Sequence, residues 1–578
     1  MPENASHNAL IEQFKRLVGA SYTLSEPARM QPYCKGFRFG EGKALAVVRP
    51  GTLLEIWQVL KVCVEADVII IMQAANTGLT GGSTPNGDDY DRPVVIINTM
   101  RIDQIQLIDN ARQIIGLAGS TLFGLEEKLA PYGREPHSVI GSSCIGASIV
   151  GGVCNNSGGA LVQRGPAYTE LSLFAQINAD GELELVNHLG VELGSTPEEI
   201  LTNLQQENYS EKDIQYPDKL ASDNEYHERV RQIDESTPAR FNNDGRRLHE
   251  ASGCAGKLAV FAVRLDTYPI AKQRQVFYIG TNDANVLATM RRDILSSFRN
   301  LPVSGEYLGR DYYDVCKKYG KDTFLVIDKL GSKYIPKLFA LKRTVDRIAA
   351  KFKFLPTKLS DHVMQYLSYL WPNHLPKRME AFRDRFEHHW ILEMNDDGVE
   401  EARDYLRTFF QTHEGDYFEC TPREGEKAIL HRFVAGGAVG RYHTIKRKQF
   451  GSMMTIDVAL RRNEEQWLEV LPPEIEEKIE AKLYLGHLFC HVMHQNYILK
   501  KGVDAKALKQ QLLAFFDARG AEYPAEHNVG QEYFAKDALK TFYRRLDPTN
   551  SFNPGIGKTS KRKFWLGDEA NRDNGSRA

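Results

Sequence analysis

Two glycine-rich segments constrain the fold of this chain more than any other feature. Residues 74–83 read AANTGLTGGS and follow an apolar run at 68–72 that predicts a buried strand. Residues 141–159 mix Gly, Ser and Asn with Ile and Val. Glycine lets a backbone approach a ligand closely, and successive exposed N–H groups form anion-binding concavities. Either segment alone is weak evidence because most glycine-rich turns are only turns, but the pair is suited to holding a pyrophosphate.

The motifs of the common nucleotide-binding folds are missing from the sequence. No G-x-G-x-x-G segment occurs, which argues against a Rossmann dinucleotide site. Residues 557–559 read GKT, like the end of a phosphate-binding P-loop. That motif needs a glycine at position 552, which is Phe552 here, so ATP binding at this segment is rejected.

The composition is that of an ordinary globular protein with more than one domain. Because 578 residues exceed a single hydrophobic core, two or three domains are expected. The net charge of −2 predicts no nucleic-acid binding, and eight cysteines without a C-x-x-C pair suit a reducing cytoplasm. No apolar run approaches the roughly 20 residues of a membrane span, and the first residues lack the pattern of a signal peptide.

Hydrophobic periodicity predicts the order of the elements. The interpretation, in chain order, is an α/β region at 44–156 with strands at 44–48, 68–72 and 94–97 and a helix from Leu53, a polar surface excursion at 195–250, an apolar segment at 257–265, a basic amphipathic stretch at 329–358 and a helix at 483–498.

The order of several motifs resembles the vanillyl-alcohol-oxidase type of FAD-binding family. Besides the two glycine-rich segments, residues 253–260 (GCAGKLAV) match a segment that lies beside the cofactor in that family. Residues 547–555 (DPTNSFNPG) match its closing D-P…N-P-G motif. The resemblance runs from about 40 to 560 and implies an α+β fold, in which a two-part FAD-binding domain carries an inserted α/β cap domain.

Carried over position by position, the resemblance implies a set of FAD contacts. These are Ala74, Ala75, Asn76, Thr77, Gly78, Gly82, Ser83, Gly141, Ser148, Gly158 and Val260. Some members of the family attach FAD covalently through a histidine in the first loop. No histidine occurs in residues 74–83, so we expect non-covalent FAD.

Within this family the sequence is more similar to the respiratory, quinone-linked D-lactate dehydrogenases of bacteria. Residues 86–91, 136–141 and 525–530 carry this likeness. It implies oxidation of D-lactate to pyruvate, with electrons passed from FAD to a membrane quinone. Two alternatives stay open. In the first, the same scaffold oxidises another small D-2-hydroxy acid, such as glycolate, or passes its electrons to oxygen. In the second, the chain is a non-catalytic basic adaptor, which would carry no flavin.

The family motif E-H-G-x-G places a catalytic histidine near the C-terminus. The corresponding residues 526–530 read EHNVG, with Asn528 in place of the first glycine. Oxidation of a 2-hydroxy acid moves a hydride to flavin N5 while a base takes the hydroxyl proton. A neutral histidine suits that role near physiological pH, so His527 is the predicted general base.

Three further histidines lie close together in the sequence. His487, His491 and His494 are four and three residues apart, which places them on one face of the helix predicted at 483–498. With Glu526 they offer the ligand types of a divalent metal site, and some relatives bind metal with a similar outer spacing. The interior of the motif lacks the acidic residue of those relatives. We therefore favour a substrate pocket shaped by hydrogen bonds from His487, His494 and Glu526 and leave the metal unassigned.

A substrate carboxylate needs a fixed cation, and the planar guanidinium of arginine binds it through two hydrogen bonds. Relatives place an arginine in the cap ahead of a strand that begins here at Asp457. Arg432 is the candidate at that position. Some relatives carry a lysine two residues before the aspartate, where this chain has Thr455, which weakens the case for a dicarboxylate substrate.

Residues 329–358 carry nine lysines and arginines against one acid, Asp346. Apolar residues repeat there at three- and four-residue steps, which suits a helix lying on an anionic phospholipid surface. The alternative is an ordinary domain helix with a solvated basic face. The family resemblance favours the first interpretation, because it implies a peripheral protein on the cytoplasmic side of the inner membrane whose membrane-binding part lies in this stretch.

The predicted domain organisation follows the resemblance. It consists of a first part of the FAD-binding domain at 1–266, cap segments at 267–308 and 386–517, a helical basic membrane-facing region at 309–385 with 424–447 as a further candidate segment, and the C-terminal part of the FAD-binding domain at 518–578.

Overall fold

A computed structural model of the chain describes residues 2–138, 146–331, 334–352 and 354–568. Gly141, one of the expected FAD contacts, lies outside the described residues, together with most of the first half of the second glycine-rich segment. Eighteen strands and nineteen α-helices are present in the described part of the chain.

The strands are β1 (Thr23–Leu24), β2 (Ala46–Val48), β3 (Ile69–Gln73), β4 (Val94–Asn98), β5 (Ile105–Ile108), β6 (Gln113–Leu117), β7 (Arg134–Glu135), β8 (Ser172–Ile177), β9 (Leu183–Asn187), β10 (Ala259–Asp266), β11 (Tyr268–Pro269), β12 (Arg274–Thr281), β13 (Ser304–Gly309), β14 (His388–Asn395), β15 (Asp416–Glu419), β16 (Met453–Ala459), β17 (Ile479–His487) and β18 (Val492–Leu499).

The helices are α1 (Pro2–Val18), α2 (Pro27–Cys34), α3 (Leu53–Glu65), α4 (Leu122–Leu129), α5 (Ile149–Cys154), α6 (Pro197–Gln206), α7 (Tyr226–Arg231), α8 (Ala284–Ser297), α9 (Arg310–Tyr319), α10 (Lys321–Leu330), α11 (Ile335–Ala349), α12 (Leu359–Ser368), α13 (Lys377–Arg385), α14 (Gly398–Phe409), α15 (Pro422–Phe433), α16 (Ala435–Lys446), α17 (Pro473–Glu476), α18 (Ala505–Ala518) and α19 (Asp537–Leu546).

A small sheet in the order β1-β2-β4-β3 carries the first glycine-rich segment. Strands β2, β4 and β3 are parallel and buried, which explains their continuous apolar sequences. Helix α3 begins after Thr52, whose hydroxyl accepts a hydrogen bond from the Glu55 N–H. The strands predicted at 44–48, 68–72 and 94–97 are confirmed within two residues. Residues 74–83 leave the carboxyl end of β3, where open α/β sheets bind their ligands.

A second sheet, in the order β5-β6-β10-β8-β9, is antiparallel and has β10 at its centre. The apolar segment predicted at 257–265 is this central strand. Its register shifts between Val260 and Ala262, a bulge that bends the strand locally. Val260 is buried and pairs with Phe174 on β8.

The third sheet has seven antiparallel strands in the order β15-β12-β14-β13-β17-β18-β16. The helix predicted at 483–498 is wrong, because β17 and β18 form a hairpin here. Both faces of these inner strands are covered: Leu483 and Leu485 pack in one apolar cluster and Tyr484 in another. An apolar run buried on two faces shows no period of two, and periodicity alone does not distinguish it from a buried helix.

The surface excursion predicted at 195–250 is also wrong in part. Helix α6 carries a capping box at Thr196 and buries Leu201 and Leu204. Further along, the side chains of Arg240 and Asn242 are buried against the C-terminal part of the chain. This burial is explained by two partners distant in the sequence, Glu526 for Arg240 and the His527 carbonyl for Asn242. The local pattern of polar residues reveals neither partner.

The basic stretch forms α11, and α12 follows it. Many large apolar side chains on this part of the surface are exposed: Leu341, Val345, Ile348, Phe352, Phe354, Val363, Tyr366, Leu367, Tyr369 and Leu370. Arg343, Arg347 and Lys351 follow at steps of four and are exposed as well. Among the described residues, no helix has the length and apolar character needed to cross a bilayer.

The C-terminal segment is held against the residues just before β10 by a fully buried lysine, Lys257. Its ammonium donates to Asn550 Oδ1 at 2.7 Å and to the Phe552 carbonyl at 2.9 Å, and it lies 3.7 Å from Asp547 Oδ2. Burial lowers the pKa of Lys257 to about 8, although Asp547 opposes that shift. Asn553, three residues after Asn550, donates to the carbonyls of Gly82 and Ala255.

Replacing Lys257 by Met is expected to lower the free energy of unfolding by about 3 kcal/mol, since it leaves the buried Asp547 without its cation. Thermal and denaturant unfolding measure this change. Lys212→Met, at an exposed lysine, is the control and is expected to stay within about 0.5 kcal/mol of the parent protein. Equal stability of the two variants would contradict the role given to Lys257.

Candidate active site

The backbone of the first glycine-rich segment is accessible over its first half, residues 74–78. None of the backbone N–H groups of residues 74–83 donates to a backbone carbonyl of the described residues. Asn76 has a left-handed backbone (φ 52°); its side chain donates to the Lys35 carbonyl and accepts from the Ser83 hydroxyl. A Cβ added at Gly78 would meet nothing within 4 Å. Ala74, Ala75, Asn76 and Thr77 are half-buried and Gly78 is exposed, so this backbone is accessible.

The second segment approaches the first from the other side. A Cβ on Gly82 would lie 3.2 Å from Asn155 Oδ1, just after helix α5. Ser148 is the N-cap of α5 and accepts a hydrogen bond from the Gly151 N–H. At Gly158 a Cβ would lie 2.6 Å from an Arg240 nitrogen, so a larger residue there would have to displace the buried Arg240 guanidinium. The unpaired N–H groups and close glycine contacts fit the pyrophosphate of FAD, which these residues would hold.

Both segments are hydrogen-bonded to the stretch that carries His527. The Thr80 hydroxyl donates to the Asn528 carbonyl at 2.8 Å, and the Gln531 N–H donates to the Thr80 carbonyl at 2.9 Å. The Gly158 N–H donates to the Glu526 carbonyl at 3.3 Å. The predicted base therefore lies between the two loops predicted to bind the cofactor.

His527 lies beside Asp457, a half-buried aspartate on strand β16 of the seven-stranded sheet. Its Nε2 is 3.5 Å from Asp457 Oδ2, and Asp457 Oδ1 is 2.8 Å from His494 Nδ1. Burial lowers the pKa of His527, with Asp457 opposing the shift and Arg38 contributing to it. The pKa of Asp457 is lowered, because the neighbouring His494 outweighs burial. His527 is thus a neutral imidazole at physiological pH, as a proton acceptor must be.

The β17–β18 hairpin brings His487 and His494 together. Their Nε2 atoms are 3.3 Å apart, and both lie near Glu526, at 3.2 Å and 3.6 Å. His491 is in the turn instead: its Nδ1 is 3.0 Å from the Arg461 carbonyl, away from this cluster. The expectation that all three histidines share one helical face is therefore wrong. The two that meet do so across strands.

Glu306 on β13 organises the other side of the cluster. One carboxylate oxygen is 2.6 Å from His487 Nδ1 and the other is 3.0 Å from Arg432 Nε. Although burial opposes the charge, Glu306 and Glu526 raise the pKa of His487 to about 10. His487 is consequently a fixed imidazolium held between two carboxylates. The charge of Arg432, the predicted carboxylate-binding residue, is matched by Glu306.

Glu526 contacts three other residues of the cluster, Arg240, His487 and His494. It forms a short ion pair with the buried Arg240, and its pKa is held well below the usual value because His487 and Arg240 outweigh burial. Asn242 donates to the Pro524 and His527 carbonyls, which fixes the backbone around the predicted base. His487, His494 and Glu526 offer ligand atoms within 4.8 Å of one another, a geometry open to a metal ion. Since both nitrogens of His487 face carboxylates, hydrogen bonding accounts for the arrangement without one.

Sequence reasoning missed four residues of this site: Arg38, Arg240, Glu306 and Asp457 as a partner of histidine. At Asp457 the family motif indicates only the start of the strand that follows Arg432. Glu306 follows Gly305 in a strand, and its side chain is only 8% exposed. No local sequence pattern reveals this burial. Arg240 lies in a polar stretch that reads as surface. Only the pairing of distant segments identifies these residues.

Comparisons with known proteins show which family this chain is similar to. The family model described as "D-lactate dehydrogenase, membrane binding" matches residues 276–565, and the one described as "FAD binding domain" matches 44–186. The quinone-dependent D-lactate dehydrogenase of Haemophilus influenzae is 59% identical over 96% of this chain and 99% of its own length. That of Escherichia coli is 57% identical over 97% of this chain and 98% of its own length.

Solved structures of more distant proteins share the fold. p-Cresol methylhydroxylase with substrate bound has a TM-score of 0.58 at 13% identity and covers 96% of this chain and 97% of its own. An alkyldihydroxyacetonephosphate synthase has a TM-score of 0.55 at 11% identity, with 95% and 84% covered. At these identities the likeness concerns the fold alone.

The fold and the match to the FAD-binding domain define an FAD-binding flavoprotein of the vanillyl-alcohol-oxidase type, which confirms the predicted fold class and FAD as the cofactor. With 59% and 57% identity over nearly its whole length, the chain belongs to the quinone-dependent D-lactate dehydrogenase family. The family match also shows that a membrane-binding part is present. Membership of this family excludes the non-catalytic adaptor.

Replacing Gly81 by Ala is expected to weaken FAD binding by about tenfold or more. Gly81 has φ +74°, and a Cβ there would lie 2.9 Å from the Phe39 carbonyl oxygen, so the loop must move. Fluorescence titration of the apoprotein with FAD measures the dissociation constant. Gly181→Ala is the matched control, since Gly181 also has positive φ (+85°) but open space around it. If both variants bind FAD like the parent protein, this loop does not hold the cofactor.

Proposed function

We propose that this chain oxidises D-lactate to pyruvate with a non-covalently bound FAD and that membrane quinone receives the electrons. Membership of the quinone-dependent D-lactate dehydrogenase family supports the reaction and the acceptor. The first glycine-rich loop contains no histidine to form a covalent flavin bond. When bound, FAD supplies the acceptor for the hydride of the substrate α-carbon.

The observation that carries the proposal is the position of His527. Hydrogen bonds from Thr80, Gln531 and Gly158 hold its segment between the two cofactor loops. Its neutral imidazole accepts the hydroxyl proton of the substrate, and Asp457, 3.5 Å away, stabilises the imidazolium that results. His494, 2.8 Å from the same carboxylate, keeps Asp457 in place.

The remaining groups bind and orient the substrate. His487 is held as a cation between Glu306 and Glu526. It can donate a hydrogen bond to the substrate only if it releases one of these two carboxylates. We assign it, with His494 and Glu526, to the polar wall of the substrate pocket. Arg432 remains the proposed cap arginine near the substrate, with its charge matched by Glu306.

The membrane-facing surface proposed is α11 with α12. Arg343, Arg347 and Lys351 form an exposed basic row, and exposed apolar side chains accompany it. Such a surface suits anionic headgroups of the cytoplasmic leaflet, where each basic residue contributes on the order of 1 kcal/mol. Residues 309–385 are the region that we propose for membrane binding, with 424–447, which include α16, as a further candidate segment.

His527→Gln is expected to slow anaerobic reduction of the flavin by D-lactate by about 10²- to 10⁴-fold, because the hydroxyl proton loses its acceptor. FAD binding is expected to stay unchanged. In the parent enzyme, the rate is expected to fall only as pH drops below the ordinary histidine pKa of about 6.5, since burial lowers the pKa of His527. His227→Gln, at an exposed histidine, is the control. An unchanged rate in His527→Gln would rule out this residue as the base.

Reversing the basic row with Arg343→Glu, Arg347→Glu and Lys351→Glu is expected to weaken binding to anionic vesicles by at least about 100-fold. Co-sedimentation with vesicles of anionic or zwitterionic lipid measures it, at low and high salt. The control reverses three exposed lysines elsewhere, Lys212, Lys272 and Lys501, with the same change in net charge. Equal binding of the parent protein to both lipids would contradict the electrostatic account.

A further inference from the structure

The charged groups of the candidate site nearly all have partners of opposite charge. Glu306 faces Arg432 and His487, and Glu526 faces Arg240 and His487. Asp457 lies beside His494 and His527. A substrate carboxylate brings one more negative charge, and burial of a charge without a cation is costly. The site therefore requires a cation that no carboxylate of the protein already occupies.

Arg38 is such a cation. Its side chain is exposed and forms no ion pair or hydrogen bond within the part of the chain that the structure describes. The three other cations of the site, Arg240, Arg432 and His487, each face a buried carboxylate. Arg38 differs from them in that its guanidinium is free to take an incoming anion.

The surroundings of Arg38 place it at the junction of the cofactor loop and the cap. Residues 36–40 form a turn in which the Gly36 N–H donates to the Gly40 carbonyl at 2.8 Å. A Cβ on Gly40 would lie 2.6 Å from Thr84 Oγ1, so the turn packs directly on the first glycine-rich loop. On the other side, an Arg38 nitrogen lies 3.9 Å from a Cβ built on Gly436, at the start of α16.

The electrostatics agree with this position. Arg38 is among the groups that lower the pKa of His527, after burial. Burial raises the pKa of the Tyr312 phenol, and both Arg432 and Arg38 oppose that rise. The Arg38 guanidinium thus affects the pKa of the predicted base, His527, and also that of Tyr312, which Arg432 affects as well. Arg38 therefore lies on the same side of the site as the cap arginine.

We propose that Arg38 binds the carboxylate of the 2-hydroxy acid and so selects acids over neutral alcohols. Its planar fork matches a carboxylate with two hydrogen bonds. Since it comes from the cofactor domain and reaches the cap, a bound acid bridges the two. This inference rests on the proposed oxidation of D-lactate at this site and adds its substrate-binding residue.

The test uses FAD-loaded protein mixed anaerobically with increasing D-lactate, so that flavin reduction gives both the substrate dissociation constant and the limiting rate. Arg38→Ala is expected to raise the dissociation constant by about 10- to 100-fold, the loss expected for a charge-assisted hydrogen bond. The limiting rate is expected to change by less than about threefold, because the hydride and proton transfers use other groups. Arg38→Lys, which keeps the charge but not the fork, is expected to be intermediate.

Arg29→Ala is the matched control, since Arg29 is an exposed arginine on the preceding helix α2. A dissociation constant in Arg38→Ala within twofold of the parent value would overturn the proposal. Loss of FAD from Arg38→Ala, with substrate affinity unchanged in the loaded fraction, would overturn it too, by assigning Arg38 to the cofactor. Failure of the proposed function is distinct: the flavin of the parent enzyme would not be reduced by D-lactate.

Discussion

The ion pair between Glu526 and Arg240 is the interaction on which the site depends. Both side chains are buried, and a buried charge is tolerated only with a partner. The Glu526 backbone carbonyl also accepts from Gly158, and its carboxylate lies 3.2 Å from His487. One residue of the C-terminal segment therefore joins the second cofactor loop, a distant polar segment and the cap sheet. The position of the adjacent His527 follows from these connections.

The same network gives two histidines opposite protonation states. His487 lies between two carboxylates, which raise its pKa to about 10 against the effect of burial. His527 has a single carboxylate at 3.5 Å, and burial lowers its pKa. One ring is thus a fixed cation and the other a neutral base. Pairs of titratable groups whose environments separate their pKa values are typical of acid–base sites.

How much of the site could be predicted depended on whether its signal was local. The sequence can make predictions about the cofactor loops, the closing segment and His527 because each is a short motif in a fixed order. The β17–β18 hairpin could not, since its strands are buried on both faces and lose the alternation that marks a strand. Arg240 and Glu306 could not either, because their roles come from partners more than a hundred residues away. Arg38 precedes the first loop, yet nothing local marks it as free of a partner.

The sequence by itself determined that two glycine-rich segments occur in the order typical of an FAD-binding domain and that a histidine follows a glutamate near the C-terminus. It also determined the basic amphipathic character of α11, since charge and periodicity are properties of one segment. Only the tertiary structure decided which histidines meet, which arginines are neutralised by Glu306 and Glu526, and which stays free. The reason is physical: the protonation and charge balance of a buried group depend on the atoms within a few ångströms, and those atoms come from other segments.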